Sequence, residues 1–408
     1  MLPFGAGLLK RTFRAFESRD FRLVWAGACT SSIGTWMQKL AQSWLVLQLS
    51  GSPFLLGLDA FLGEIPILLF SLAGGVIADR VDRRKLLIGS QIVQMSCAFL
   101  LAGMFALDVV RVWHILTLSF VVGMAQAFGG PAYQALIPSL VGPDELSAAI
   151  AWNAIQFHLA RVVGPVLGGL ALTQLGASWC FGLNGLSYFG PIVALLALDP
   201  RRIPERAGET MLDSMKQGIR FIRTQPAMLS LIVLTFVMTV LAVPMIVFLP
   251  VFARDVFHQG PSAYTLLLSV SGAGSVAGAL LVASLGHRKR QGAGALITLV
   301  TLGVFMAGFS LSRHLALSCV FLFLAGASLV ATFAIITSLV QASATDQMRG
   351  RVMSVYNVFF RGGMPIGSLA TGTLAPIFGA PMVLAANGVL LAVLGLSFLA
   401  GRRKLASM

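Results

Sequence analysis

Six ionisable residues fall inside long apolar stretches of this 408-residue chain: Lys39, Asp59, Glu64, His158, Arg161 and Arg361. A charge in such surroundings is costly, and it persists where it pairs, carries a proton or meets a ligand. Glu64 and Asp59 are carboxylates that could take up and release a proton. His158 has the side chain whose ordinary titration lies nearest neutrality. Lys39, Arg161 and Arg361 offer positive charge, suited to an anionic group or to backbone carbonyls. At the helical rise, Lys39 lies roughly 16 Å and Glu64 roughly 17 Å below the outer ends of two successive antiparallel apolar segments, so they share one depth. A Lys39–Glu64 pair is expected, either as a static ion pair or as one that opens. Asp59 is expected nearer the outer surface, where water reaches it.

Polar and aromatic residues near these charges are candidates to line a cavity. Trp36 and Gln38 flank Lys39; Gln126, Asn153 and Asn357 lie in other apolar segments, with Gln42, Trp44, Tyr133 and Tyr356 as further members. The plainer reading is that aromatics here pack or anchor at an interface. Arg161 and Arg361 could likewise satisfy carbonyls and glutamines such as Gln126 and Gln156.

The elements that must hold these residues follow from composition. The chain is 57% hydrophobic and 11% charged. That is too little charge for the surface of a water-soluble protein of this length. A bilayer core needs about 20 apolar residues per helix, and the chain supplies about twelve such stretches. They fall near 21–49, 53–78, 86–107, 112–140, 146–174 and 178–198, then near 227–252, 262–285, 292–311, 315–341, 350–377 and 380–400. The expectation is an all-α integral membrane protein of about twelve transmembrane helices in two pseudo-symmetric six-helix bundles. Residues 1–198 form the first bundle, 226–408 the second. The polar stretch 199–225 joins them and holds an amphipathic helix with Met211, Met215, Ile219 and Ile222 on one side, expected on the inner membrane surface. The repeats "ARVVGPVLGG" and "FRGGMPIGSL" echo each other in the fifth span of each half.

Lys and Arg are crowded into alternate loops, which makes that side cytoplasmic and places both termini inside. This asymmetry accounts for most of the +14 net charge. It removes the need for a nucleic-acid partner. The four cysteines lie in apolar runs without metal-ligand spacing, no cofactor is implied, and the scattered histidines do not suggest an intramembrane enzyme. A monomer is expected.

One loop stands apart. In "GGVIADRVDRRKLL", six of the seven positions from Asp79 to Lys85 are charged. Positive-inside charge explains Arg83, Arg84 and Lys85 but not Asp79. The pattern Gly75, Asp79, Arg80, Arg83, Arg84 resembles the loop signature of the major facilitator superfamily, with Asp82 where that family usually has glycine. The resemblance implies a conformational latch in which Asp79 faces the start of span eleven, near Arg349 and Arg351. Arg80 and Arg83 would then reach Asp144 and Glu145. "GPVLGG", with Gly164, Pro165, Gly168 and Gly169, resembles the efflux-associated motif of the same superfamily. Its small residues also suit close helix packing. The stretches 32–58 and 131–170 look like the subgroup of enterobactin exporters and macrolide efflux proteins. That likeness implies secondary export of a small amphipathic, siderophore- or drug-like molecule across the bacterial inner membrane by proton antiport. A lipid or lysophospholipid flippase of the same fold is the alternative. Span four lacks the central arginine of many proton-coupled relatives, which moves attention to Glu64, Asp59 and His158.

Overall fold

The computed structural model describes residues 13–198, 211–285 and 291–401, and all its regular elements are helical. The helices are α1 (Arg19–Ser50), α2 (Pro53–Arg80), α3 (Arg83–Ala106), α4 (Val112–Leu136), α5 (Leu146–Gln174), α6 (Ala177–Ser187) and α7 (Phe189–Leu196). They continue with α8 (Met211–Arg223), α9 (Pro226–Val247), α10 (Pro261–Leu285), α11 (Gln291–Leu311), α12 (Leu315–Ser343), α13 (Asp346–Phe378) and α14 (Ala380–Gly401). Among the described residues, ten helical segments are long and apolar enough to cross a membrane, α6 and α7 together forming one. The two other long helices, α1 with 32 residues and α13 with 33, are more polar along their length. These are the helices on which Lys39 and Arg361 stand.

Sharp reversals rest on glycine. The tight linkers after α1, α5 and α13 place Gly51, Gly176 and Gly379 at φ of 65°, 94° and 82°. Only a residue without Cβ adopts that region without strain, so each linker can be one or two residues long. A short π-helical turn, Phe252–Val256, follows α9.

The chain divides into two compact units. One comprises the described residues of Met1–Gln42 and Leu69–Gly208; the other comprises those of Ser43–Leu68 and Glu209–Met408. The later parts of α1 and the earlier part of α2 therefore cluster with the second unit. Within that unit, Arg254 donates from Nη1 to the Leu47 carbonyl at 2.7 Å, and Trp44 stacks on Tyr264 with centroids 6.3 Å apart. A Cβ on Gly57 would come 2.9 Å from the Gly372 Cα, so α2 and α13 touch through backbone. Asp59, in the same segment, is 7% exposed. It is therefore buried rather than open to water, because neighbouring helices cover the end of α2.

In the first unit, an apolar cluster gathers Phe21, Leu87, Leu136, Ile137 and Leu195, with Phe16, Trp25 and Trp152 against it. Trp25 donates from Nε1 to the Trp152 carbonyl at 2.9 Å. In the second unit, α8 lies on α13. A Cβ on Gly218 would meet the Arg351 carbonyl oxygen at 2.6 Å, and Ile222 is 3% exposed. Part of the apolar side of this amphipathic helix thus rests on α13, with Met215 and Ile219 half-buried. Lys216, Arg220 and Arg223 remain exposed.

Candidate functional site

Trp36 is the centre of the most suggestive cluster in the first unit. It sits mid-way along α1, one turn before Lys39. The Lys39 Nζ lies 5.4 Å from its ring centroid, and the Arg161 Cζ of α5 lies 5.7 Å from the same centroid. Both are within the roughly 6 Å over which a cation is drawn to an aromatic face. The Phe157 ring meets the indole edge-on at 6.3 Å, and His158 adjoins Phe157.

The efflux-type motif explains why α1 and α5 come so close. Gly164 faces Trp36 and the Ile33 carbonyl, and Gly168 faces the Met37 carbonyl at 2.8 Å from an ideal Cβ. Gly164, Pro165, Gly168 and Gly169 are all buried. The second unit repeats the device. Gly363 and Gly367 of α13 face Phe236, Thr239 and Val240 of α9. The glycines shift by one residue relative to the shared prolines Pro165 and Pro365, which is why the sequence echo is weak.

Behind Trp36, amides and hydroxyls fix α1 in place. Asn184 of α6 donates to the Gln38 Oε1 at 2.6 Å, and Gln42 donates to Ser119 at 2.9 Å. Gln126 donates to the Gln94 Oε1 at 3.3 Å, and the same oxygen accepts from Tyr188 at 3.4 Å. Thr35 and Tyr188 hydroxyls lie 3.3 Å apart. Asn153 accepts from Tyr133 at 2.9 Å. Gln156 donates to the Ala28 carbonyl, so it is engaged with α1 rather than Arg161. Sequence reading missed Gln94, Asn184 and Tyr188. A signal existed: a buried amide in an apolar run must find a partner.

The remaining candidates are placed as follows. Glu64 is half-buried on α2 in the second unit, while Lys39 belongs to the first. Arg361 and Asn357 are exposed on α13, and the Tyr356 hydroxyl lies 2.8 Å from that of Thr337.

In the charged loop, Asp82 caps α3 by accepting from the Arg84 amide at 2.9 Å. Arg83 is buried and donates to the carbonyls of Ala78 and Ala135 at 3.3 and 3.5 Å. Arg84 donates to the Leu196 carbonyl at 2.7 Å. Gly75 is buried, Arg80 and Asp144 are exposed, and the Asp79 side chain lies outside the described residues. Glu145 accepts from the Gly142 amide at 3.2 Å. Arg349 pairs with Asp346 at 2.8 Å, and Arg351 donates to the Met348 sulfur at 3.5 Å.

An open apolar groove of about 500 Å³ lies on the first unit, lined by Ile33, Met37, Leu167, Leu170 and Leu183 with Thr30 and Gln174 among them.

Similarities to known proteins agree with this architecture. Macrolide efflux protein A of Streptococcus pyogenes is 24% identical over 88% of this chain and 90% of its own. The multidrug efflux pump Tap of Mycolicibacterium fortuitum is 27% identical over 88% and 89%. Enterobactin exporter EntS of Escherichia coli is 26% identical over 93% and 91%. Among solved structures, the nucleoside transporter NupG superposes with a TM-score of 0.72 at 13% identity, over 94% of this chain and 98% of its own. A bacterial homologue of the human lysosomal transporter Spinster gives 0.73 at 15% identity, over 94% and 96%. These structures share the fold. The profile of the transmembrane secretion effector family matches residues 10–407, so the chain belongs to that family of major facilitator superfamily transporters.

Proposed function

We propose that this chain is a secondary exporter that moves a small amphipathic molecule outward by alternating access, exchanging it for protons. The observation that carries the reading is the convergence of Lys39 and Arg161 on Trp36. It places charge and aromatic surface together in an otherwise apolar bundle, as a polar-headed, apolar-bodied substrate requires. The relatives' names, macrolide efflux, multidrug efflux and enterobactin export, point the same way. Glu64 is the leading proton carrier, with Asp59 and His158 behind it. The protein works as a monomer in the bacterial inner membrane with both termini cytoplasmic, surrounded by lipid. Gly75, Asp79, Arg80, Arg83, Arg84, Asp144, Glu145, Arg349 and Arg351 serve as the latch that opens and closes during the cycle.

Reconstituted, dye-loaded vesicles test this. Efflux should quicken when the outside is acid, and Glu64→Gln should abolish the acceleration. Efflux indifferent to the gradient in the native chain would refute antiport; full retention in Glu64→Gln would dismiss Glu64 as the carrier.

The apolar groove beside Met37 and Leu167 supports a second reading, a lipid or lysophospholipid flippase. Vesicles with a labelled lysophospholipid distinguish the two: a flippase moves the lipid between leaflets and leaves the dye behind.

A further inference from the structure

We infer that α8 is a docking strip for anionic phospholipid, with Lys216, Arg220 and Arg223 taking the headgroup and Met215 and Ile219 meeting the upper acyl chain. This goes beyond the export reading and rests only on the chain's place in a membrane.

Position comes first. α8 ends at Arg223, and only Thr224 and Gln225 separate it from α9, which opens a segment long and apolar enough to cross a membrane. Its middle is pinned to the second turn of α13, where a Cβ on Gly218 would meet the Arg351 carbonyl oxygen at 2.6 Å and the Val355 side chain at 3.1 Å. Tied to the start of α9 and to the start of α13, α8 is held at the edge of the bilayer. The helical repeat then sorts its side chains. Gly218 and Ile222 are buried. At 3.6 residues per turn, Lys216, Arg220 and Arg223 fall roughly 120–180° round the helix from that contact, and all three are exposed. Met215 and Ile219 fall between, half-buried, so apolar surface runs beside the row of cations.

Charge decides the partner. The sequence of α8 holds three cations against one carboxylate, Asp213. Among the described residues, no carboxylate pairs with Lys216, Arg220 or Arg223. Asp346, the acidic residue at the start of α13, is engaged by Arg349 at 2.8 Å. Arg220 and Arg223 also suit the C-terminal end of α8, but Lys216 lies two turns back, beyond the reach of that dipole. Helices with an apolar flank beside a cationic row lie at headgroup level, and a basic segment next to a span is drawn to anionic lipid. Guanidinium presents a planar fork to phosphate oxygens, ammonium adds a point charge, and the long stems of both rest on the apolar flank.

Native mass spectrometry of the purified full-length chain provides the test, with equal amounts of phosphatidylglycerol and phosphatidylcholine of identical acyl chains as probes. Phosphatidylglycerol should be retained at least about fivefold more than phosphatidylcholine. Lys216→Gln, Arg220→Gln and Arg223→Gln combined should erase most of that preference. Arg220→Lys with Arg223→Lys, which keeps the charge, should hold it in part. The control removes three exposed cations of the first unit, Arg14→Gln, Arg19→Gln and Lys85→Gln, and should leave the preference in place. Inorganic phosphate should not compete, since it has no chain for Met215 and Ile219 to meet. Equal retention of the two lipids by the native chain, an unchanged preference in the α8 variant, an equal fall in the control, or displacement by phosphate would each overturn the inference. Loss of gradient-driven efflux with the lipid preference intact would instead reject the export reading alone.

Discussion

Gly164 on α5 lies so close to Trp36 on α1 that a methyl group at position 164 would sit 2.5 Å from the Trp36 Cβ. Both partners are backbone or the first side-chain atom, so neither can swing aside. Gly164→Ala should cost about 1–3 kcal/mol by overpacking, and Gly164→Leu should leave no folded protein. Thermal loss of the monodisperse peak in size-exclusion chromatography measures this. Gly89→Ala is the control, since its Cβ would meet nothing within 4 Å.

Asp82 stands where the superfamily usually has glycine, and it caps α3 through the Arg84 amide. Asp82→Ala should lower stability by about 1 kcal/mol, whereas Asp82→Gly should cost only a few tenths. Reversible unfolding in mixed detergent micelles reads the difference. Equal effects of the two substitutions would show that the cap contributes nothing.

Asn184 and Gln38 share a 2.6 Å hydrogen bond between α6 and α1. Interhelical bonds of this kind couple by about 0.6 kcal/mol on average and up to about 1.7. A double-mutant cycle with Gln38→Leu and Asn184→Leu should give a coupling in that range. The double variant should be more stable than the two single losses added together, because each single change strands a buried amide.

Gly218 seats α8 on the Arg351 carbonyl. Gly218→Leu should lift the helix from α13 and expose its backbone to protease. Trypsin cleavage after Lys216, Arg220 or Arg223 should then become faster than in the native chain, as followed by fragment mass. An unchanged rate would mean that α8 is held by something other than this contact.

Much of the scaffold was legible because a bilayer imposes length and apolarity on each helix. The expected segment 146–174 matches α5 residue for residue, and 53–78 falls within α2. The candidate site was legible in part. Lys39, Arg161 and Trp36 stood out as polar or aromatic groups in apolar runs, but spacing on one helix says nothing of which neighbour it meets. The meeting depends on Gly164 and Gly168, whose small size shows only that something approaches closely. The contact of α8 with α13 was not read from the sequence for a related reason. An amphipathic pattern shows that one face is covered, and both a bilayer and α13 can cover it. Asp59 differed because its depth along α2 says nothing of the helices that roof it.

The assignment of Ser43–Leu68 to the second unit has a consequence for anyone who severs the gene between its two halves. The leading fragment would carry away a helical hairpin whose burial partners, Arg254, Tyr264 and Gly372, are encoded on the trailing one. Each fragment made alone should therefore be degraded. Co-production should rescue both, with the hairpin acting as the piece by which one translation product recognises the other.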